Sequence, residues 1–298
     1  MDYLKQSNIV VEVIRDGLLL KNVYDFNAKH IFECGQCFRW DKEEDNSYTV
    51  IAFGKVINVK SNGNEVRILN TDIRDFKEIW FEYFDLGRDY SRIKTALSAD
   101  DTMKLAIKYG EGIRILKQDP WETLISFIIS ANNRIPMIAR SINLFSQMYG
   151  RAINYNDKVY YTFPTIKDLS EADFSDIKSC KAGFRCKYII KAIEMVRNGE
   201  MNLEKIKSMK AIEAEKELKK IPGVGIKVAN CILLFSMQKY DTYPVDVWMK
   251  RITEELFLKR KSKVGEISDF AQKRFGDLSG FAQEYLFYYA RELKIGKS

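Results

Sequence analysis

Lys227 and Asp246 are the two side chains of this 298-residue chain whose setting best suits covalent chemistry. Lys227 follows the run Ile221-Pro222-Gly223-Val224-Gly225-Ile226, and Asp246 closes Pro244-Val245-Asp246 nineteen positions later (246 − 227). An amine held beside a carboxylate can attack an electrophilic carbon while the carboxylate stabilises the positive charge that develops there. The glycines suggest what that carbon belongs to. Gly223 and Gly225 permit positive φ and leave no Cβ between the backbone and a ligand. The amides that begin the next helix then point outward at the positive end of its dipole, a seat for a phosphate. This equipment suits attack by an amine on a sugar carbon of DNA.

Two amphipathic helices must hold these groups. Ala211, Ala214, Leu218 and Ile221 recur at helical spacing, and Lys219, Lys220 and Pro222 mark the end of that helix. Val228, Ala229, Ile232 and Phe235 form the core stripe of the second, while Lys227, Cys231 and Leu234 share another face. Pro244 biases Tyr243 toward extended backbone, and residues 247–252 read as a helix, so Asp246 also suits an N-cap worth about 1 kcal/mol. A second helix of about twelve residues is about 18 Å long, and the loop behind it can return that distance. Other uses of the glycines fail on spacing. A P-loop requires Ser or Thr after its lysine, and a dinucleotide fingerprint requires a third glycine; Val228 stands at both positions. Taken alone, the glycines also fit a helix–turn–helix in which they serve tight packing and the lysine is solvated.

Composition narrows the class. The chain is 46% hydrophobic with 13% aromatics, enough for a large core in two or three packed subdomains. A net charge of +7 suits a nucleic-acid partner. No apolar run reaches membrane-spanning length, and the opening Met-Asp-Tyr-Leu-Lys-Gln lacks a signal-peptide core. Five cysteines (Cys34, Cys37, Cys180, Cys186, Cys231), an odd number without a secretory signal, argue against a disulfide framework. Cys34 and Cys37 have no matching second pair and His30 is the single histidine, which argues against a zinc site and against Ser–His or Cys–His catalysis.

Short apolar runs at 11–14, 37–40, 48–51, 56–59 and 66–69 read as a small antiparallel sheet, with Asn62-Gly63-Asn64 a turn signal. From Asp72 the pattern turns helical, with an apolar helix from Trp121 to Ile129 and a last one from Phe281 to Leu293. Sheet first and helices after predict an α+β fold. The expected division is an N-terminal antiparallel sheet domain over residues 1–112 and a helical domain over 113–298, with the hairpin at about 211–238.

Gly35-Gln36-Cys37-Phe38-Arg39-Trp40 completes a set of motifs. With the hairpin, Lys227 and Pro244-Val245-Asp246, it resembles the helix-hairpin-helix DNA glycosylase superfamily, and within it the 8-oxoguanine DNA glycosylases. The resemblance runs from about Gly35 to the last helix. It implies a bifunctional enzyme that flips 8-oxoguanine out of double-stranded DNA, excises it by attack of Lys227 on C1′ with Asp246 assisting, and then cleaves the strand by β-elimination. It further implies a monomer in the cytoplasm, at the nucleoid if bacterial, with neither cofactor nor metal nor membrane partner. No cysteine follows Cys231, which sets the chain apart from the iron–sulfur endonuclease III group.

The resemblance also places further residues. 8-Oxoguanine carries a hydrogen on N7 where guanine has a lone pair, so a fixed Gly35 carbonyl accepts from the first and repels the second. Gln283 and Phe287, four apart, match residues that bond the base edge and stack on its ring, and Cys231 forms the other wall. Asn132 matches the residue that fills the vacated stack, Phe184 an aromatic wedge, and Arg185 the reader of the opposite base. Gly223 and Gly225 contact the DNA backbone. Met137 departs from a second, cytosine-reading arginine and Trp248 from a histidine, which puts strict opposite-cytosine selection and one backbone contact in doubt. Two other classes remain. A glycosylase for alkylated purines shares the Gly35 signature and Asp246 without the lysine, and a non-catalytic hairpin DNA-binding protein keeps only the glycines.

Overall fold

Six antiparallel strands open the chain in the computed structural model, which describes residues 8–295; the opening six residues read for a leader lie outside the described residues. β1 (Val10–Ile14), β2 (Gly17–Lys21), β3 (Trp40–Lys42), β4 (Tyr48–Ala52), β5 (Lys55–Asn62) and β6 (Glu65–Leu69) form one sheet in the order β1-β2-β6-β5-β4-β3. Arg15 and Asp16 turn β1 into β2 with Ile14 opposite Gly17, and Gly63 and Asn64 turn β5 into β6 with Asn62 opposite Glu65. One face packs Leu18, Leu20, Val59 and Ile68 against Phe32, Phe76, Trp80 and Phe84. On the other, Ile51 and Val56 meet Tyr160 of a second hairpin, β7 (Ala152–Tyr155) and β8 (Lys158–Tyr161). β4 and the centre of β5 therefore lack a solvated face, and their sequences are largely apolar, with the buried polar pair Thr49 and Asn58 hydrogen-bonded to each other.

Three elements differ from expectation. Residues 37–39 are not a strand; pairing begins at Trp40. This segment leaves a short helix, Ala28–Glu33, and passes between two cores, with Cys37 in the sheet core and Phe38 in the helical one. Its inward side chains leave no pleated face. β2 was absent from the sequence reading, and β7–β8 interrupts what read as unbroken helix after Asp72.

The larger core is helical. Asp119 caps the helix Pro120–Ser130 by accepting from Glu122 N at 2.8 Å, and residues 123–129 are all buried. Beside it runs Ile226–Met237, buried from Val228 onward. Phe127 and Phe235 stack between them at 5.5 Å and 19°. The last helix, Ser279–Glu292, closes this core, and Tyr90, Ile93, Leu97, Met103, Ala106 and Ile107 from two earlier helices pack into it as well. Among the described residues no helix is long and apolar enough to cross a membrane.

Candidate active site

The hairpin consists of Ala211–Leu218, a turn, and Ile226–Met237. Gly223 sits at φ +87°, and a Cβ there would stand 2.5 Å from the Tyr188 ring, so conformation and space both demand glycine. Gly225 differs. Its backbone is extended (φ −89°, ψ −179°), and no atom lies within 4 Å of where its Cβ would be. Positive φ, expected of both glycines, is used by Gly223 alone, while Gly225 leaves open space. Gly225 caps Ile226–Met237 without a side-chain hydrogen bond, and the first bond into the helix runs from Ala229 N to Gly225 O at 2.9 Å. The amides of residues 226–228 thus face that opening with no acceptor inside the helix, which suits an anion.

Lys227 is the second residue of this helix, half-buried, with its ammonium 5.2 Å from the centre of the Phe127 ring. One turn on, Cys231 is buried; desolvation pushes its thiol up to about 11 while Lys227 pulls it back and Asp246 opposes Lys227. Asp246 caps Val247–Ile252, accepting from Met249 N at 2.7 Å. Burial raises its pKa above the ordinary carboxylate value, against the capping amides and the charge of Lys227. Lys227, Cys231 and Asp246 therefore share one electrostatic environment. Trp248, half-buried, packs against the helical core.

A second group surrounds Gly35, which follows the helix Ala28–Glu33 at φ +98°. A Cβ on it would meet Phe287 Cε1 at 3.2 Å and Arg291 Nη1 at 3.5 Å, so the last helix lies directly against this backbone. Gln283 on the same helix is buried, and its Oε1 has no hydrogen-bond partner among the described residues, an acceptor left for a ligand to satisfy. Gln36 fixes the loop. Its Nε2 donates to the Ile31 and Arg114 carbonyls at 2.9 and 2.8 Å, and its Oε1 accepts from Leu116 N at 2.8 Å.

Asn132, Phe184 and Arg185 form a third group. Pro120–Ser130 ends in a turn with Asn132 exposed at φ 52°. Arg185 holds that turn, donating from Nε to Ala131 O at 2.6 Å and from Nη2 to Asn132 O at 2.7 Å, with Nη1 on Ala182 O at 3.0 Å. Phe184, 55% exposed, lies over the Arg185 guanidinium at 4.4 Å and edge-on to Tyr188. Met137 is exposed on the first turn of the next helix, Ile135–Tyr149.

Among the described residues no cluster of His, Cys, Asp or Glu is arranged to hold a metal, and all five cysteines are free. Sequence reasoning missed Gln36, Phe127 and Tyr188. Gln36 stood inside the Gly35 motif; the other two carried no signal beyond helical spacing.

Two family models match the chain: the 8-oxoguanine DNA glycosylase N-terminal domain over residues 18–124, and the HhH-GPD superfamily base excision DNA repair protein over residues 125–276. The crystal structure of Clostridium acetobutylicum 8-oxoguanine glycosylase/lyase, in complex with double-stranded DNA containing cytosine opposite 8-oxoguanine, is 50% identical. It superimposes with a TM-score of 0.94 over 96% of this chain and 99% of that one. A probable N-glycosylase/DNA lyase of Methanothermobacter thermautotrophicus is 32% identical over 70% of this chain and 72% of its own length. An N-glycosylase/DNA lyase of Saccharomyces cerevisiae is 31% identical over 80% and 70%, respectively.

Proposed function

This chain belongs to the HhH-GPD superfamily of base excision DNA repair proteins, in its 8-oxoguanine DNA glycosylase branch, and we propose on that premise that Lys227 is its nucleophile and Asp246 its electrostatic partner. The enzyme is a bifunctional 8-oxoguanine DNA glycosylase and abasic-site lyase. Its partner is double-stranded DNA carrying the lesion, bound by a monomer. Residues up to about 112 contribute Gly35 and its loop, and residues 113–298 contribute the hairpin, Asp246 and the residues that enter the duplex.

The observation that carries the assignment is the shared environment of Lys227 and Asp246 next to the open amides of the hairpin. Seating a phosphate on residues 225–228 brings the adjoining sugar to Lys227. Flipping the damaged nucleotide costs a few kcal/mol, recovered where Gln283, Phe287, Cys231 and the Gly35 carbonyl enclose the base. Once its ammonium has passed a proton to solvent, the Lys227 amine forms a bond to C1′ as the C1′–N9 bond breaks and its electron pair leaves with the base. Asp246 stabilises the positive charge that develops on the sugar. Opening of the sugar ring then gives a Schiff base, which acidifies C2′; loss of that proton expels the 3′ phosphate. Asn132 and Phe184 fill and wedge the duplex, Arg185 faces the opposite base, and Trp248 flanks the backbone. An alkyl-purine glycosylase has no need of Lys227.

Borohydride trapping tests this reading. Wild type incubated with an 8-oxoguanine duplex and borohydride should become covalently linked to DNA. Lys227→Gln should bind the same duplex without trapping or cleaving it. Undiminished trapping by that variant would remove Lys227 from the reaction.

A further inference from the structure

Glu284, next to Gln283 on the last helix, takes no part in the reaction described above, yet it is only 2% exposed. Its Oε2 has no hydrogen-bond partner among the described residues. A carboxyl group in that position is costly to keep ionised, so its place in the fold calls for an explanation. Its neighbours supply one. Residues 284, 287 and 291 share one face of the helix, and this face meets Glu33, Cys34 and Gly35, where the helix Ala28–Glu33 gives way to the recognition loop. Arg291 Nη2 donates to the Glu33 carbonyl, the Glu284 carboxyl interacts with the Cys34 thiol, whose Sγ donates to the Ile31 carbonyl at 3.2 Å, and the Phe287 ring covers Gly35. Glu284 also interacts electrostatically with Asp246 and Cys231, so it lies near both the Gly35 loop and the proposed electrostatic partner of Lys227.

We propose that Glu284 is a positioning residue for lesion recognition: from the helix face that carries Phe287 and Arg291, its buried carboxyl group ties the Cys34–Gly35 backbone to the last helix and so fixes the Gly35 carbonyl in the pocket. The inference rests on the glycosylase reading above and adds a specificity determinant to it. The groups facing Glu284 are Cys34 and Cys37 from the loop, Cys231 from the second hairpin helix, Asp246 from its cap and Arg291 from its own helix. Arg291 is the one cation in that set, and its Nη2 already serves the Glu33 carbonyl. Burial raises the Glu284 pKa to about 7; Asp246 adds to that, while the Cys34 contact and Arg291 oppose it. The neutral form therefore prevails below about pH 7, and deprotonation puts a second buried anion beside Asp246 under the recognition loop.

The test compares two activities of the full chain at pH 6 and pH 8: single-turnover excision from an 8-oxoguanine duplex, and cleavage of a duplex carrying a preformed abasic site. Only the first needs a base in the pocket, so a general folding defect lowers both together. At pH 6, Glu284→Ala should lower excision at least about tenfold more than abasic-site cleavage, the loss expected for one buried hydrogen bond. Glu284→Gln, neutral at every pH and able to bond Cys34, should restore most of that ratio. The ratio of excision to abasic-site cleavage should fall from pH 6 to pH 8 in wild type and stay level in Glu284→Gln. Equal losses in the two activities for Glu284→Ala, or the same pH profile for wild type and Glu284→Gln, would overturn the proposal. Failure of wild type to excise 8-oxoguanine at either pH would instead overturn the glycosylase reading itself.

Discussion

Replacing Asp246 by asparagine separates two tasks of one carboxylate. As a helix cap, Asp246 accepts from Met249 N at 2.7 Å. An amide oxygen can accept the same bond, and asparagine caps helices about as well as aspartate, so little of the roughly 1 kcal/mol of capping should be lost. As an anion, Asp246 is held against its preference, because burial raises its pKa above the ordinary value. A raised folded-state pKa means that folding favours the protonated form. The stability this gives is fully present below the unfolded-state value of about 3.9 and is lost as pH rises through the folded-state value. At pH 7 the variant should therefore melt at or above the wild-type temperature, and its advantage should shrink as the pH falls toward 4.

Excision should move the other way. Removing a preorganised electrostatic group from a reacting centre costs about 2.7–4 kcal/mol, or about 10²–10³ in rate. Thermal melts followed by circular dichroism at several pH values, with single-turnover excision of 8-oxoguanine at pH 7, measure both quantities on one sample. A variant that melts several degrees lower while its folded fraction excises at a near-normal rate would show that the cap matters and the charge does not.

The two hairpin glycines should respond differently to alanine. Gly223→Ala meets the Tyr188 ring at 2.5 Å with φ at +87°, so it should lose stability by at least about 1–2 kcal/mol in a denaturant melt along with DNA affinity. Gly225→Ala has extended backbone and open space, so it should melt normally yet bind DNA more weakly, with a methyl group where the phosphate approaches; unchanged affinity would move the phosphate seat elsewhere. For the opposite base, three of the five N–H groups of Arg185 already bond backbone carbonyls, leaving two, and Met137 adds none. Single-turnover rates opposite cytosine, adenine, guanine and thymine should differ little, and Met137→Arg should shift them toward cytosine; strong wild-type rejection of every partner but cytosine would refute relaxed selection.

How much was legible depended on whether the physics was local. The hairpin helices, the apolar helix from Trp121 and the Asp246 cap were readable because each is set by residues a few positions apart. The β7–β8 hairpin carried a local signal that went unread. Asn156 and Asp157, at φ 45° and 57°, form the two-residue turn between Tyr155 and Lys158, and asparagine and aspartate tolerate that conformation well. The segment 37–39 misled for a different reason. Its apolar residues serve two separate cores, which no period along the chain records. Glu284 was invisible for the same reason, since nothing near it in sequence shows that Cys34, Cys231 and Asp246 converge on it.

The side chains proposed to enter the duplex and the proposed phosphate seat are joined through packed atoms. Arg185 bonds the carbonyls of Ala131 and Asn132, so the turn carrying Asn132 cannot shift without breaking two hydrogen bonds. Phe184 lies on that same guanidinium and edge-on to Tyr188, whose ring occupies the space a Gly223 Cβ would need. Phe184, Asn132 and the hairpin turn, the proposed wedge, filler and phosphate seat, therefore hold fixed spacings before DNA arrives. The helix that ends at the Asn132 turn also carries Phe127, against which the Lys227 ammonium sits at 5.2 Å. Base flipping demands that the strand be gripped, the stack filled and the sugar presented in one geometry, and a linkage fixed in advance lowers the ordering cost of reaching it. On this argument, trimming Tyr188 should impair excision although Tyr188 is assigned no contact with the damaged base. Tyr188→Ala should lower single-turnover excision while leaving Lys227 able to trap a preformed abasic site; equal excision by Tyr188→Ala and wild type would show that the wedge and the hairpin act independently.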